Sequence, residues 1–295
     1  MSKLSEKYIA GFLDADGTIC LQVRKGERPT LMVAFSQKTS KDEVLKRIQE
    51  EYGGTFRIKK INGGLYSDLS FYSNSAKKLL NRICKFLVIK RHYANVCLEE
   101  SEKKVVNPES LKVYLKEQRG QRSCPLPKHP TRKWVAGYFD GDGCLSVRSI
   151  QKPFGQASIV AHIACSNFDT EGIVLLHNFF GGAIHDMRNG RCRQWCLSLG
   201  SPSKAKQFLG YFSKHCIVKR DQTLFVLGCA KMGHYRDGKS IKAALKQLKA
   251  REQRLSESGV AQLLKGIKDL PPSKRSDYHL FYRNKLGRIL GKRAA

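Results

Sequence analysis

Residues 8–17 read YIAGFLDADG and residues 134–143 read WVAGYFDGDG, so the chain writes one ten-residue segment twice. At an offset of 126, Ala10 meets Ala136, Gly11 meets Gly137, Asp14 meets Asp140, Asp16 meets Asp142 and Gly17 meets Gly143. A glycine inside an apolar helix costs about 1 kcal/mol against alanine. Two closely spaced acids at a helix end are also a poor way to build a core. A pattern that breaks both rules twice, in register, marks a site rather than scaffolding.

The repeat continues beyond the motif. Gln37 answers Asn167 at an offset of 130, and Lys90 answers Lys219 at 129. Ala76-Lys77-Lys78-Leu79-Leu80 answers Ala205-Lys206-Gln207-Phe208-Leu209. Two copies of one unit are too few for a solenoid. The expected organisation is a first unit over 1–104, a linker over 105–129, a second unit over 130–232 and a basic helical extension over 233–295. The tail of that extension has no partner in the first copy.

Charge narrows the partner. Lys and Arg number 54 against 25 acids, a net charge of +29. Solubility asks for a net charge of only about 2–8 in a small domain, so a polyanion is expected, with nucleic acid as the default. A basic membrane-surface protein is the competitor, but no long Lys/Arg-rich amphipathic helix with an aromatic face is evident. No run of 18 apolar residues suggests a membrane span, and the first motif begins too early for a leader peptide. Ten cysteines without paired zinc spacing are expected to stay reduced, as small apolar residues.

Periodicity predicts a helix over 3–15, capped by Ser2 or Ser5, and a second one capped by Thr131 after Pro130. Tyr8, Gly11 and Ala15 form one stripe, as do Trp134, Gly137 and Gly141, so two helices are expected to cross closely with their acidic ends side by side. After each helix the period becomes two. Strands are expected over 18–24, 30–37, 56–59 and 65–71, turning at Asn62-Gly63-Gly64, and over 157–166, 183–188 and 192–199, turning at Asn189-Gly190. The predicted fold is α+β, two pseudo-symmetric αββαββα units, each with an antiparallel sheet apolar on one face and basic-polar on the other. Further helical stretches are expected over 108–118 and 240–264.

The paired IAGFLDADG and VAGYFDGDG resemble the two motifs of a single-chain LAGLIDADG homing endonuclease, over roughly residues 5–230. Ile9 and Val135 replace the first leucine, and Asn167 replaces the more usual glutamine. FLDADGT also fits the nucleophile motif of haloacid-dehalogenase-type phosphatases, but that fold uses the motif once and the second copy ends in Cys144. A calcium loop needs further oxygen ligands, and residues 14–25 hold no acid beyond Asp14 and Asp16.

The resemblance implies hydrolysis of both strands of a long, asymmetric double-stranded DNA target, leaving short 3′ overhangs. Mg²⁺ is the implied cofactor, with Mn²⁺ or Ca²⁺ able to replace it structurally. Asp16 and Asp142 are the expected metal-holding acids, one per motif, with the carbonyls of Ala15 and Gly141. Asp14 and Asp140 are assigned to helix-end hydrogen bonding. Lys90 and Lys219 are the expected basic partners at the reacting phosphate, and Gln37 and Asn167 are placed to hold waters. Gln22, Arg24, Thr30, Arg57, Lys59, Tyr66 and Asp68 are candidate DNA readers in the first unit, with Ser146, Arg148, His162, Arg191 and Arg193 in the second. A monomer is expected, since both halves of the site lie in one chain, made and used inside an organelle. An RNA-binding maturase or a non-cleaving DNA-binding regulator are the alternatives on the same fold; the presence of both acids favours the nuclease.

Overall fold

A computed structural model of the chain describes residues 3–121, 125–149, 157–166, 170–187, 192–231 and 238–250, with positions 259 and 262. The first repeat runs α1 (Glu6–Asp16), β1 (Gly17–Gln22), β2 (Thr30–Lys38), α2 (Glu43–Tyr52), β3 (Thr55–Ile61), β4 (Gly64–Tyr72) and α3 (Ser73–Ile83). It is followed by α4 (Arg91–Glu100) and α5 (Pro108–Gln118). The second runs α6 (Arg132–Asp142), β5 (Gly143–Ser149), β6 (Ala157–Ser166), α7 (Glu171–Phe180), β7 (Ala183–Met187), β8 (Cys192–Ser198) and α8 (Pro202–Phe212). After it come α9 (Arg220–Lys231) and α10 (Gly238–Ala250). Strand order is β1-β2-β4-β3 in one sheet and β5-β6-β8-β7 in the other, so the fold is α+β and pseudo-symmetric.

Local chemistry explains the boundaries. Helix α1 starts at Glu6 rather than at 3, because the extended Ser5 offers its carbonyl to the amides of Tyr8 and Ile9. Ser5 makes no side-chain cap, and Ser2 lies outside the described residues. Thr131 does cap α6, accepting from the Trp134 amide at 3.3 Å. Asn62 and Gly63 sit at φ 48° and 78°, the pair of left-handed residues that a two-residue hairpin requires. Asn189-Gly190 lies outside the described residues. Strand β1 ends at Gln22, whose partner Thr30 opens β2. The loop beyond is held elsewhere, by Gly26 N to Val105 O and Val105 N to Glu27 O.

The chain packs as two compact units. One comprises the described residues of Met1–Gly143 and Ile163–Trp195, the other Cys144–His162 and those from Cys196 onward. In the first unit, register places Ile19 beside Val33 and Val33 beside Phe71, and a second row joins Phe35, Leu69 and Phe56. Helices α2 and α3 supply Val44, Leu45, Ile48, Leu79, Leu80 and Ile83, all at most 1% exposed, against that face. Each such side chain contributes about 1.5–3 kcal/mol through burial. In the second unit α9 packs on α8 and α10 on α9, burying Phe208, Phe212, Phe225, Val226, Ile241 and Leu245.

Candidate active site

Helices α1 and α6 approach backbone to backbone. A Cβ added at Gly11 would lie 2.1 Å from the Trp134 carbonyl oxygen, and one at Gly137 would lie 2.1 Å from that of Tyr8. One at Gly141 would lie 2.4 Å from Ala15 Cβ and 3.5 Å from Asp16 Cγ. The glycines therefore let the two motif ends meet, which brings Asp16 and Asp142, both half-buried, to neighbouring helix ends.

The first acid of each motif is locked by the other helix. Asp14, 2% exposed, accepts from the amides of Val88 at 2.7 Å and Lys90 at 2.9 Å and from Trp134 Nε1 at 2.9 Å. Asp140, fully buried, accepts from Tyr8 Oη at 2.6 Å. Tyr8 and Trp134 are equivalent positions of the repeat, so each motif's leading aromatic donates to the other's leading acid. The helix-end role expected of Asp14 and Asp140 is what these bonds describe. Sequence reasoning missed the two aromatic donors, although both residues are of the few types that bury a ring and still donate. Burial pushes the Asp14 carboxyl above the usual carboxylate range, against the Val88 and Lys90 amides, the Lys90 charge and the Trp134 donor, which pull it down.

Replacing Tyr8 by Phe keeps the packing and removes the donor from the buried Asp140, whereas Trp134→Phe removes the donor from Asp14 together with part of a buried ring. Each change is expected to lower stability by about 1–3 kcal/mol, read by urea unfolding. An unchanged midpoint would mean these bonds hold nothing.

Around Asp16 the geometry is polar. Gln37 Nε2 donates to Asp16 Oδ2 at 2.5 Å. Lys90 Nζ donates to the carbonyls of Leu13 at 2.8 Å and Gly17 at 2.7 Å and reaches that of Ala15 at 3.4 Å. The Leu13 carbonyl, which also accepts the Gly17 amide, and that of Ala15 lie at the C-terminal end of α1, where a cation is stabilising. Lys90 thus braces the helix end that carries Asp16. In the second repeat Lys219 is half-buried and precedes α9, its carbonyl accepting from the Thr223 amide. Asn167 lies outside the described residues.

The Asp16 and Asp142 carboxylates and the Ala15 and Gly141 carbonyls would together offer only hard oxygen donors. No group of three or more His, Cys, Asp or Glu with metal-holding geometry occurs among the described residues. Such a set fits Mg²⁺, which keeps several waters and is bound through one or two carboxylates plus phosphate oxygens.

The expected reading face is coherent in the first sheet. Register aligns Gln22 with Thr30, Arg57 with Asp68, and Lys59 with Tyr66 and Lys38. All of these project from the face opposite the buried Val33, Phe35, Leu69 and Phe71. Lys59 pairs with Asp68. Arg24 falls in the loop after β1 and faces Glu27 at 3.9 Å. In the second sheet Ser146 Oγ lies 3.4 Å from His162 Nδ1, and Arg193 pairs with Asp186 at 3.1 Å. Arg148 belongs to β5, but its side chain, like Arg191, lies outside the described residues.

Cys144, which opens this face in β5, lies beside Lys249 and His162. Burial would raise its thiol, but hydrogen bonds from His162 and Lys249 and the Lys249 charge bring it down to about 7.

Comparison with known proteins adds the following. The LAGLIDADG endonuclease family matches residues 9–95. The LAGLIDADG homing endonuclease I-SmaMI bound to cleaved DNA is similar at a TM-score of 0.61 and 19% identity, over 86% of this chain and 99% of that one. The LAGLIDADG meganuclease I-CpaMI bound to uncleaved DNA is similar at 0.60 and 15%, over 84% and 98%. I-SmaMI bound to an uncleaved DNA target in the presence of calcium ions matches at 0.59 and 18%, over 83% and 98%. At these identities the likeness to solved structures is one of fold. No curated protein sequence matches the chain significantly.

Proposed function

We propose that the chain, whose residues 9–95 match the LAGLIDADG endonuclease family, cuts both strands of a long, asymmetric DNA duplex at a defined sequence, leaving short 3′ overhangs. The observation that carries this reading is the meeting of two equivalent helix ends, each bearing one half-buried carboxylate, Asp16 and Asp142. The two repeats have diverged on their strand faces, which favours a target without a palindrome and a monomer as the working form.

Asp16 and Asp142, with the Ala15 and Gly141 carbonyls, would hold Mg²⁺. When bound, the ion supplies charge relief at the phosphate and an acidic water. Gln37 orients the Asp16 carboxylate and can hold a water against it. Lys90 keeps the end of α1 in place and offers positive charge where the phosphate would sit, and Lys219 is the matching candidate in the second repeat. Gln22, Thr30, Arg57, Lys59 and Tyr66 present mixed donors and acceptors suited to base edges and phosphates in a groove.

A net charge of +29 should make duplex binding steeply salt-dependent. Neutralising 6–10 phosphates costs roughly 10³–10⁵ in affinity between 50 and 200 mM salt. Fluorescence anisotropy across that range checks this; salt-insensitive binding, or tight binding of RNA with none of duplex DNA, would overturn the reading.

A further inference from the structure

The sequence alone suggests a linker over 105–129 and a basic helical extension over 233–295. The structure relates them. Helices α5 and α10 start at Pro108 and Gly238, and at that same offset LKVYLKEQR over 111–119 lies against IKAALKQLK over 241–249. Leu115 and Leu245 are buried in both, while Lys112, Lys116, Lys242 and Lys246 are exposed in both. Each helix packs on the one before it, α5 on α4 and α10 on α9. The offset matches that of Gln37 and Asn167, so α5 and α10 are one more element of the repeat.

Each helix ends by delivering a cation to the equivalent position of its own repeat. The Arg119 guanidinium lies 5.3 Å from the Tyr93 ring centre. It lines a cavity of about 480 Å³ together with Lys90, Lys116, Gly17 and Thr18, and no carboxylate lines that cavity among the described residues. At the matching position Lys249 Nζ lies 3.2 Å from Cys144 Sγ and 2.8 Å from the Leu145 carbonyl. Cys144 is the repeat partner of Thr18, so each cation sits on the first residues after its motif's last acid.

We propose that Arg119 and Lys249 are matched binding residues for DNA backbone phosphates, one beside each motif, carried by helices that complete the two repeats. This rests on DNA as the ligand. The favoured occupant is a phosphate rather than a base edge for two reasons. The cations come from helix ends outside the strand alternation, and the Arg119 cavity gathers three cations without an acid. Countercharge is also needed there, because carboxylates beside a phosphodiester repel it.

The test is duplex affinity against salt for the full chain in metal-free buffer, with Arg119→Gln and Lys249→Met, which keep the apolar stems, beside Arg119→Lys and Lys249→Arg. Each neutral variant should weaken target and unrelated duplexes alike and lower the magnitude of the salt slope by about 0.9, while the charge-keeping variants retain it. A neutral variant that keeps the parental slope overturns the proposal. So does one that lowers the melting temperature alone, since that marks a packing role. A slope change on RNA but not on DNA also overturns it. If the parent chain binds no duplex at all, it is the nuclease reading that has failed. Should Arg119→Gln not fold, Lys249→Met decides.

Discussion

The double substitution Asp16→Asn with Asp142→Asn is expected to abolish DNA cleavage while leaving duplex binding intact. Carboxylate to amide keeps size at the meeting point of α1 and α6 and removes the charge that would hold a divalent ion. The loss of several kcal/mol of transition-state stabilisation corresponds to a rate drop of at least about a thousandfold. Candidate reading residues lie on the strands of both sheets and their loops, not on α1 or α6, so affinity should hold. In metal-free buffer it should rise slightly, because two carboxylates no longer face phosphates. Plasmid cutting and gel shift on the same DNA decide the matter. Retained cutting would remove these acids from the chemistry, and loss of the folded state would make their role structural.

The second large effect concerns stability. Gly11→Ala and Gly137→Ala each place a Cβ 2.1 Å from a backbone carbonyl oxygen of the facing helix. Backbone cannot rotate aside as a side chain can, so α1 and α6 must part, and each change should cost about 3 kcal/mol or more. The pair together should leave little of a typical stability of about 5–15 kcal/mol. Gly210→Ala is the internal control. Its Cβ would meet nothing within 4 Å and it lies in α8, so this change should stabilise by about 0.5–1 kcal/mol. Chemical denaturation of the three single variants measures both signs. A tolerated Gly11→Ala would contradict the close approach.

That glycine argument is also where the sequence was most legible. Gly11 and Gly137 violate helix propensity at equivalent positions, and only a close helix contact repays such a violation. Asn62-Gly63 and Thr131 were readable for the same kind of reason, since a left-handed turn and a helix cap each demand few residue types. Strand limits were less legible. Thr18 to Arg24 alternate in sequence, yet β1 stops at Gln22 because its partner β2 starts at Thr30, and pairing is a non-local fact.

The site divides similarly. The acids stood out because charge at a packed helix end is anomalous. Tyr8 and Trp134 did not, because an aromatic on a buried stripe reads as core until its donor finds Asp140 or Asp14. Lys90 was identified by its repeated context, but its grip on the α1 carbonyls is visible only once chain segments 73 to 77 residues apart meet. The α5 and α10 correspondence was present as LKVYLKEQR and IKAALKQLK. It was obscured by the Gly/Pro-rich stretch after α5 and by a basic tail, both of which draw attention to composition rather than to register.

The most direct test of two matched half-sites forming one DNA-cutting centre is selection of cleaved ends from a randomised duplex library incubated with the full chain and Mg²⁺, read by sequencing. One long sequence without two-fold symmetry, cut on both strands at a fixed short stagger, is the predicted result. A palindromic consensus would mean that identical halves from two chains do the cutting, and no cleaved ends from a chain that binds duplex DNA would mean that the paired carboxylates do not catalyse hydrolysis.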